Sequence, residues 1–122
     1  HDDYALAQLA GALRHAADRD VLLDRARGWR AHYDPSVGFL RAKAADGSFS
    51  TASFDPLVWD DDYAEANAWQ SLFMPGIHDP DGLAELLGGN AAAVAKLEEM
   101  FERTKEDWEE SDESAANFPR PY

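Results

Sequence analysis

The sequence contains no cysteine, and this absence excludes disulfides and thiol chemistry. The redox compartment stays open, because proteins of either environment can lack cysteine. Basic residues are scarce too: 11 Lys and Arg stand against 24 Asp and Glu, which gives a formal net charge of -13. A chain this acidic repels phosphate backbones and anionic lipids, so we expect neither nucleic acid nor a membrane as its partner.

Long apolar runs are missing as well. No run approaches the roughly 20 residues that a helix needs to cross a bilayer. The first residues, His1-Asp2-Asp3, lack the basic and then apolar pattern of a signal peptide, and no initiator methionine precedes them. We therefore expect either a mature protein that begins here or a piece of a longer one, and the missing methionine favours the piece.

The residues that are present suit one small domain. Of the 122 residues, 45% are hydrophobic and 11% are aromatic, which is enough material for a core. Apolar residues from Leu6 to Leu13 recur at helical spacing behind Asp2 and Asp3, the candidate N-caps. The first dozen residues are therefore predicted to form an amphipathic helix.

A second helix is predicted to follow closely, with Asp18 or Asp20 as its N-cap. Its apolar face runs from Leu22 through Trp29 to Tyr33, and the turn sequence at residues 34–38, Asp-Pro-Ser-Val-Gly, ends it. Two helices joined by so short a link are expected to form an antiparallel hairpin.

Residues 38–59 predict a long loop instead of a helix. Apolar segments at 38–41 and 49–54 flank the turn sequence Ala45-Asp46-Gly47-Ser48, so the loop holds at most a short irregular hairpin. A loop of about 20 residues inside a compact domain is more often functional than idle.

Three more helices are predicted beyond this loop, and with them a mainly α fold. One begins near residues 60–62 and ends around 74–76, and a short one begins at Asp79 and is closed by Gly88-Gly89. Asn90 caps the last helix. The apolar face of that helix consists of Val94, Leu97 and Phe101, and Trp108 can extend it.

The segment 62–70, Asp-Tyr-Ala-Glu-Ala-Asn-Ala-Trp-Gln, places a carboxylate among aromatic residues. If the segment is helical, as its alternating alanines suggest, Asp62, Glu65 and Trp69 share a face. Desolvation on that face would raise the pKa of Glu65 by more than the helix dipole lowers it, and a raised pKa suits a general acid. The residues alone leave two interpretations open, an ordinary solvated glutamate or a general acid, and Asp60 to Asp62 are predicted to cap the helix.

Other candidate sites are weaker. Trp59 precedes the acidic cluster, where its aromatic face could stack on a sugar ring. The run from Asp79 to Gly82 resembles the start of a calcium loop but lacks the later ligands, which favours helix capping. None of the four histidines has a partner at metal-ligand spacing, so we assign no metal ligand; they are His1, His15, His32 and His78.

Several motifs in a fixed order carry a resemblance to a known family. The first ten residues, Tyr33-Asp34-Pro35 through Arg41, and Phe54-Asp55-Pro56 match the family in turn. The most specific match is residues 62–70, which are similar to Asp-Tyr-x-Glu-Gly-Asn-Ala-Trp-Gln. His78-Asp79, Gly82-Leu83 and Leu87-Gly88-Gly89 follow in order. On these residues the chain resembles glycoside hydrolase family 92, the calcium-dependent exo-acting alpha-mannosidases.

The resemblance implies that this chain is a fragment of an alpha/alpha toroid, an (α/α)6 barrel, in a longer secreted enzyme of the cell envelope or extracellular space. A β-sandwich domain would precede it. Glu65 maps to the general acid of an inverting mechanism, whereas the aspartate base and the calcium ligands would lie outside this chain. The substrate would be a mannose-containing glycan, and we predict that Trp59, Asp62 and Trp69 contact it.

The chain departs from the family's pattern at two places near Glu65. Ala66 replaces a glycine, and Met74-Pro75-Gly76-Ile77-His78 is longer than the usual Val-Pro-His. The linkage therefore stays open, including the choice between a plain mannoside and a mannose capped through phosphate. Two alternatives remain: a non-catalytic acidic helical interaction module, and another alpha/alpha-toroid glycosidase.

Overall fold

The structure is a computed structural model that describes residues 1–51, 53–59 and 66–110, with side chains described as far as residue 105. Helices dominate this part of the chain, which confirms the predicted mainly α class. Five α-helices are present in the described part: α1 (Asp2–Ala12), α2 (Ala16–Ala26), α3 (Ala68–Phe73), α4 (Pro80–Leu86) and α5 (Asn90–Glu110). Two 3-10 turns, Arg27–His32 and Met74–Ile77, continue α2 and α3. None of the described helices is long and apolar enough to span a membrane.

Helices α1 and α2 pack against each other as the predicted hairpin. Asp3 near the start of α1 forms an ion pair with Arg25 near the end of α2, at 3.1 Å, so the two helices run antiparallel. The predicted caps were wrong: α1 has His1 as its N-cap, and α2 begins after His15, before Asp18 and Asp20.

The link between α1 and α2 explains the early start of α2. Arg14 adopts a left-handed conformation with φ of 63°. Its N–H donates to the Gly11 carbonyl at 3.1 Å, and the His15 N–H reaches back to the Ala10 carbonyl at 2.8 Å. These two bonds form a Schellman motif, which ends α1 within one turn and lets the next helix begin at once.

A small β-hairpin follows the second helix. β1 (Tyr33–Asp34) pairs antiparallel with β2 (Phe39–Leu40), with Asp34 opposite Phe39. The predicted turn at residues 34–38 is therefore the turn of a hairpin. Further along the predicted loop, a single bridge between Lys43 and Phe49 forms the short irregular hairpin that the sequence allowed.

The core lies where this β-hairpin meets α3 and α4. Phe39 and Leu40 of β2 pack with Trp69 and Leu72 of α3 and with Leu83 of α4. Partly buried apolar side chains pack around this core; they include Trp29, Tyr33, Phe54, Phe73, Leu87 and Met100.

Two apolar faces have no cover among the described residues. Between α1 and α2 lies an open groove of about 470 Å³, lined chiefly by Leu6, Leu9, Leu13 and Val21. On α5, the predicted apolar face is exposed: Val94 at 55%, Leu97 at 37% and Phe101 at 63%.

Candidate active site

The helix predicted around Glu65 begins later than expected. Asn67 is the N-cap of α3 and has extended backbone angles, φ -80° and ψ 170°, so no helix runs from Glu65 to Trp69. The argument that these two residues share a helical face was therefore wrong, and the raised pKa derived from that face loses its basis. The alanines favour a helix through this segment. However, the Asn67 side chain accepts a hydrogen bond from the backbone N–H of Gln70, and this cap makes the helix begin after Asn67.

Asn67 and Gln70 form a reciprocal capping box. The Asn67 carbonyl oxygen Oδ1 accepts the Gln70 N–H at 3.0 Å, and Gln70 Oε1 accepts the Asn67 N–H at 3.1 Å. The Ser71 hydroxyl donates to the Asn67 carbonyl at 3.0 Å. Asn67 and Ser71 are only 4% and 5% exposed, and Ala66 before them is buried as well. The segment that follows Glu65 is thus fixed inside the core.

The loop that ends at Trp59 is tied to the same point. The Ala68 N–H donates to the Pro56 carbonyl at 3.1 Å, and the Asp55 carboxylate accepts the Leu57 N–H at 3.0 Å. The structure therefore brings residues 53–59 beside the start of α3. Trp59 itself is 41% exposed, which is compatible with the predicted contact to a sugar ring but does not test it.

Trp69 lies in the core. It is 3% exposed, and its ring packs edge-on against Phe39 with the ring centroids 4.8 Å apart. The Lys96 ammonium lies 4.3 Å from the Trp69 ring and 4.4 Å from the Phe39 ring, which joins α5 to this core. In the described part of the chain Trp69 thus has a packing role, and its contact with substrate stays a prediction. Its indole Nε1 has no hydrogen-bond partner among the described residues.

Two of the predicted site residues, Asp62 and Glu65, lie outside the described residues, as does the whole acidic run from Asp60. Their predicted roles accordingly stay predictions. What the structure adds is the anchoring of their C-terminal neighbours, because Ala66 and Asn67 are both buried.

Asp34 and Arg41 form a cluster that the sequence did not single out. The Asp34 carboxylate accepts from the Ser36 hydroxyl at 2.6 Å, from the Ser36 N–H at 2.9 Å and from Arg41 at 2.9 Å. The Ser36 hydroxyl is the main cause that lowers the pKa of Asp34, and the Ser36 N–H and Arg41 lower it further. Arg41 also donates to the Ser50 carbonyl at 2.9 Å, so the cluster ties the long loop to the β-hairpin.

Asp79 is the predicted cap of α4. One carboxylate oxygen accepts the Gly82 N–H at 3.1 Å, and the other accepts from Trp29 Nε1 at 3.2 Å and from Arg30 at 3.4 Å. Arg30 also pairs with Glu85 at 3.2 Å. Both carboxylate oxygens of Asp79 thus accept hydrogen bonds, and these bonds join α4 to the 3-10 turn after α2. This confirms the prediction that the run from Asp79 caps a helix instead of starting a calcium loop.

Metal ligands do not cluster in the described ranges. No group of three or more His, Asp or Glu side chains there could hold a metal ion. The calcium ion that the resemblance implies, with ligands outside this chain, stays a prediction.

The comparison with known proteins bears on nearly the whole chain. Residues 1–119 match the family model of the glycosyl hydrolase family 92 catalytic domain. A search of curated proteins gives no match. The family match implies glycosidase chemistry and weighs against a non-catalytic interaction module. On this match, the chain belongs to glycosyl hydrolase family 92.

Proposed function

We propose that this chain is part of an exo-acting alpha-mannosidase and supplies its general acid, Glu65. The proposal is carried by the position of Glu65 in the motif of residues 62–70, inside a chain that matches the family's catalytic domain over residues 1–119. It is supported by the rigid setting of the second half of that motif, because catalytic groups work best on a scaffold that holds them in place.

In the proposed mechanism, Glu65 protonates the oxygen of the departing group as its bond to the anomeric carbon breaks. An aspartate from elsewhere in the polypeptide takes a proton from a water molecule, which attacks the opposite face of the sugar. An inverting pair of this kind needs about 6.5 to 9.5 Å between its carboxyl groups to admit the water. Glu65 must keep its proton near neutral pH, which requires a raised pKa.

Trp59 is the described residue best placed to help. Its loop is held beside the start of α3 by the Ala68–Pro56 hydrogen bond, and its indole is partly exposed. We propose that it contacts the mannose ring, with Asp62 as a polar contact and Trp69 as support from the core.

The surroundings of the site are proposed on the family resemblance. The chain would form part of an (α/α)6 toroid that follows a β-sandwich domain, in an extracellular or cell-envelope enzyme. The uncovered apolar faces of α1, α2 and α5 support this proposal, because further helices of a toroid would pack against such faces. On the same resemblance, we propose that the calcium ligands lie outside this chain.

The test is the stereochemistry of the product. The longer enzyme is incubated with a terminal α-mannoside, and the anomer released first is followed by proton NMR. We expect β-mannose, because a direct attack by water inverts the anomeric carbon. Release of α-mannose first would contradict the inverting mechanism, release of a different sugar would favour another toroid glycosidase, and no release from any glycan would favour the interaction module.

A further inference from the structure

We propose that Asp55 is a positioning residue for Trp59, because its carboxylate fixes the turn that presents the Trp59 indole to the mannose ring. This inference deepens the proposed function and rests on it, since the contact between Trp59 and the sugar is itself a proposal. The residues that carry the inference lie in the described segment 53–59 and in the core against which this segment packs.

The turn before Trp59 has a favourable sequence. Residues 55–58, Asp-Pro-Leu-Val, place aspartate first and proline second, which is typical of a type I β-turn. The Val58 N–H closes this turn by donating to the Asp55 carbonyl at 3.3 Å. The Asp55 carboxylate also accepts the Leu57 N–H at 3.0 Å. Asp55 therefore holds the turn twice, once with its backbone and once with its side chain.

One side of the turn is fastened to the core. The Ala68 N–H donates to the Pro56 carbonyl at 3.1 Å, and this bond satisfies one of the N–H groups that a helix leaves unpaired at its start. The Phe54 ring packs against Phe39 with the ring centroids 5.5 Å apart. Leu57 is partly buried against the same core. The residues around Asp55 are therefore held in place by their neighbours.

The other end of the turn presents two exposed apolar residues. Val58 is 62% exposed and Trp59 is 41% exposed. Loops that a rigid scaffold positions are where binding residues most often lie. A tryptophan has only two side-chain torsions to fix, so its ring is largely oriented once its backbone is held. The direction in which the chain leaves the turn at Asp55 therefore decides where the indole of Trp59 lies.

Removal of the carboxylate should act on binding. Without it the Leu57 N–H loses its partner, and a hydrogen bond of this kind changes an equilibrium by about 2- to 10-fold. Substrate would then bind well only to the molecules that keep the turn, and the apparent affinity falls with their fraction. The reacting groups are unchanged in those molecules. We therefore expect KM to rise and kcat to change little.

The experiment measures kcat and KM of the longer enzyme on a terminal α-mannoside. Asp55→Ala and Asp55→Glu should each raise KM by about 2- to 10-fold, since one removes the acceptor and the other displaces it. Asp55→Asn keeps an acceptor at the same place without the charge, so it should leave KM nearly unchanged. Asp55→Glu replaces Asp55→Ala should the latter fail to fold.

A double variant tests whether Asp55 acts through Trp59. Trp59→Ala should raise KM, and Asp55→Ala added to it should raise KM no further, because both changes remove the same contact. The matched control is Asp46→Ala. The Asp46 carboxylate accepts the Ser48 N–H at 2.9 Å in another turn of the same long loop. Loss of this bond should leave KM unchanged, because that turn does not lead into Trp59.

Each outcome bears on one claim. If the enzyme releases no sugar from any glycan, the proposed function fails. If it releases mannose but Trp59→Ala leaves KM unchanged, the proposed contact of Trp59 is wrong and this inference falls with it. If Trp59→Ala raises KM but Asp55→Ala does not, or if their effects multiply in the double variant, this inference alone is overturned. An equal rise of KM in Asp46→Ala would overturn it as well.

Discussion

The carboxylate of Asp34 and the guanidinium of Arg41 form an ion pair at 2.9 Å in which the two side chains are only 6% and 13% exposed. Removal of one partner from such a pair leaves a buried charge without compensation. We therefore expect Arg41→Met to lower the unfolding midpoint clearly. Arg25→Met is the control, since the Arg25–Asp3 pair has a similar distance, 3.1 Å, but a largely exposed Arg25. Equal effects of the two variants would contradict the assigned role of Arg41.

The Asp34 carboxylate also makes the stability of the folded protein depend on pH. The pKa of Asp34 is lowered in the folded protein, mainly by the Ser36 hydroxyl, from its ordinary value of 3.8. A lowered pKa contributes stability that is present above pH 3.8 and is lost as the pH falls through the folded-state value. Urea unfolding between pH 7 and pH 3 should therefore show a smaller loss of stability in Asp34→Asn than in the unchanged protein. An identical slope would show that other groups account for the acid sensitivity.

Gly82 lies where α4 approaches Asp79 and Arg30. A Cβ atom there would overlap the Arg30 guanidinium and both carboxylate oxygens of Asp79. We expect Gly82→Ala to destabilise the protein by about 1 to 3 kcal/mol, because the cap and the ion pair would both have to move. Gly28→Ala is the control, since no atom lies within 4 Å of its added Cβ. A free energy of unfolding unchanged in Gly82→Ala would contradict the observed close approach.

Helices α1 and α4 end with the same motif but with different residues at its left-handed position. Arg14 has a φ of 63° after α1, whereas Gly88 has a φ of 100° after α4. Glycine adopts this conformation without a steric cost. Arg14→Gly should therefore stabilise the protein by about 0.5 to 1 kcal/mol, and Gly88→Ala should destabilise it by about 1 kcal/mol. Chemical denaturation measures both, and a loss of stability in Arg14→Gly would contradict the assigned strain.

The sequence predicted well wherever local chemistry decides the structure. The end of α4 at Gly88-Gly89 and its N-cap at Asp79 could be predicted from the positions of glycine and aspartate relative to the apolar face of the helix. The predicted N-caps of α1 and α2 were wrong for two reasons. Acidic residues stabilise any position in the first turn of a helix, so they do not mark the N-cap itself. The Schellman motif at Arg14 also has no glycine at its left-handed position, so the sequence does not indicate where α1 ends.

The boundary of α3 was missed for a different reason. Alternating alanines and the spacing from Asp62 to Trp69 indicate a helix, but the capping box of Asn67 and Gln70 competes with it and places the start at Ala68. A search for an Asn followed three residues later by Gln would have found this signal. The Asp34–Arg41 pair had no such signal, since it depends on the hairpin that brings the two residues together.

The residues of the apolar face of α5 were predicted correctly, but the sequence did not show which residues of this helix contact the core. Val94, Leu97 and Phe101 do form one stripe, but it is exposed, and the contact with the core is made by Lys96 and Met100 instead. Hydrophobic pattern identifies a face that can be buried. It does not say which element buries it.

The central claim is that Glu65 is the general acid, and the most direct measurement is the effect of Glu65→Gln in the longer enzyme on substrates with poor and good leaving groups. Glutamine keeps the shape of the side chain and removes the dissociable proton. An ordinary mannoside should slow by about 10² to 10⁴-fold, an activated aryl mannoside should slow much less, and the alkaline limb of the pH profile should disappear. Equal slowing of both substrates with an unchanged pH profile would contradict the assignment.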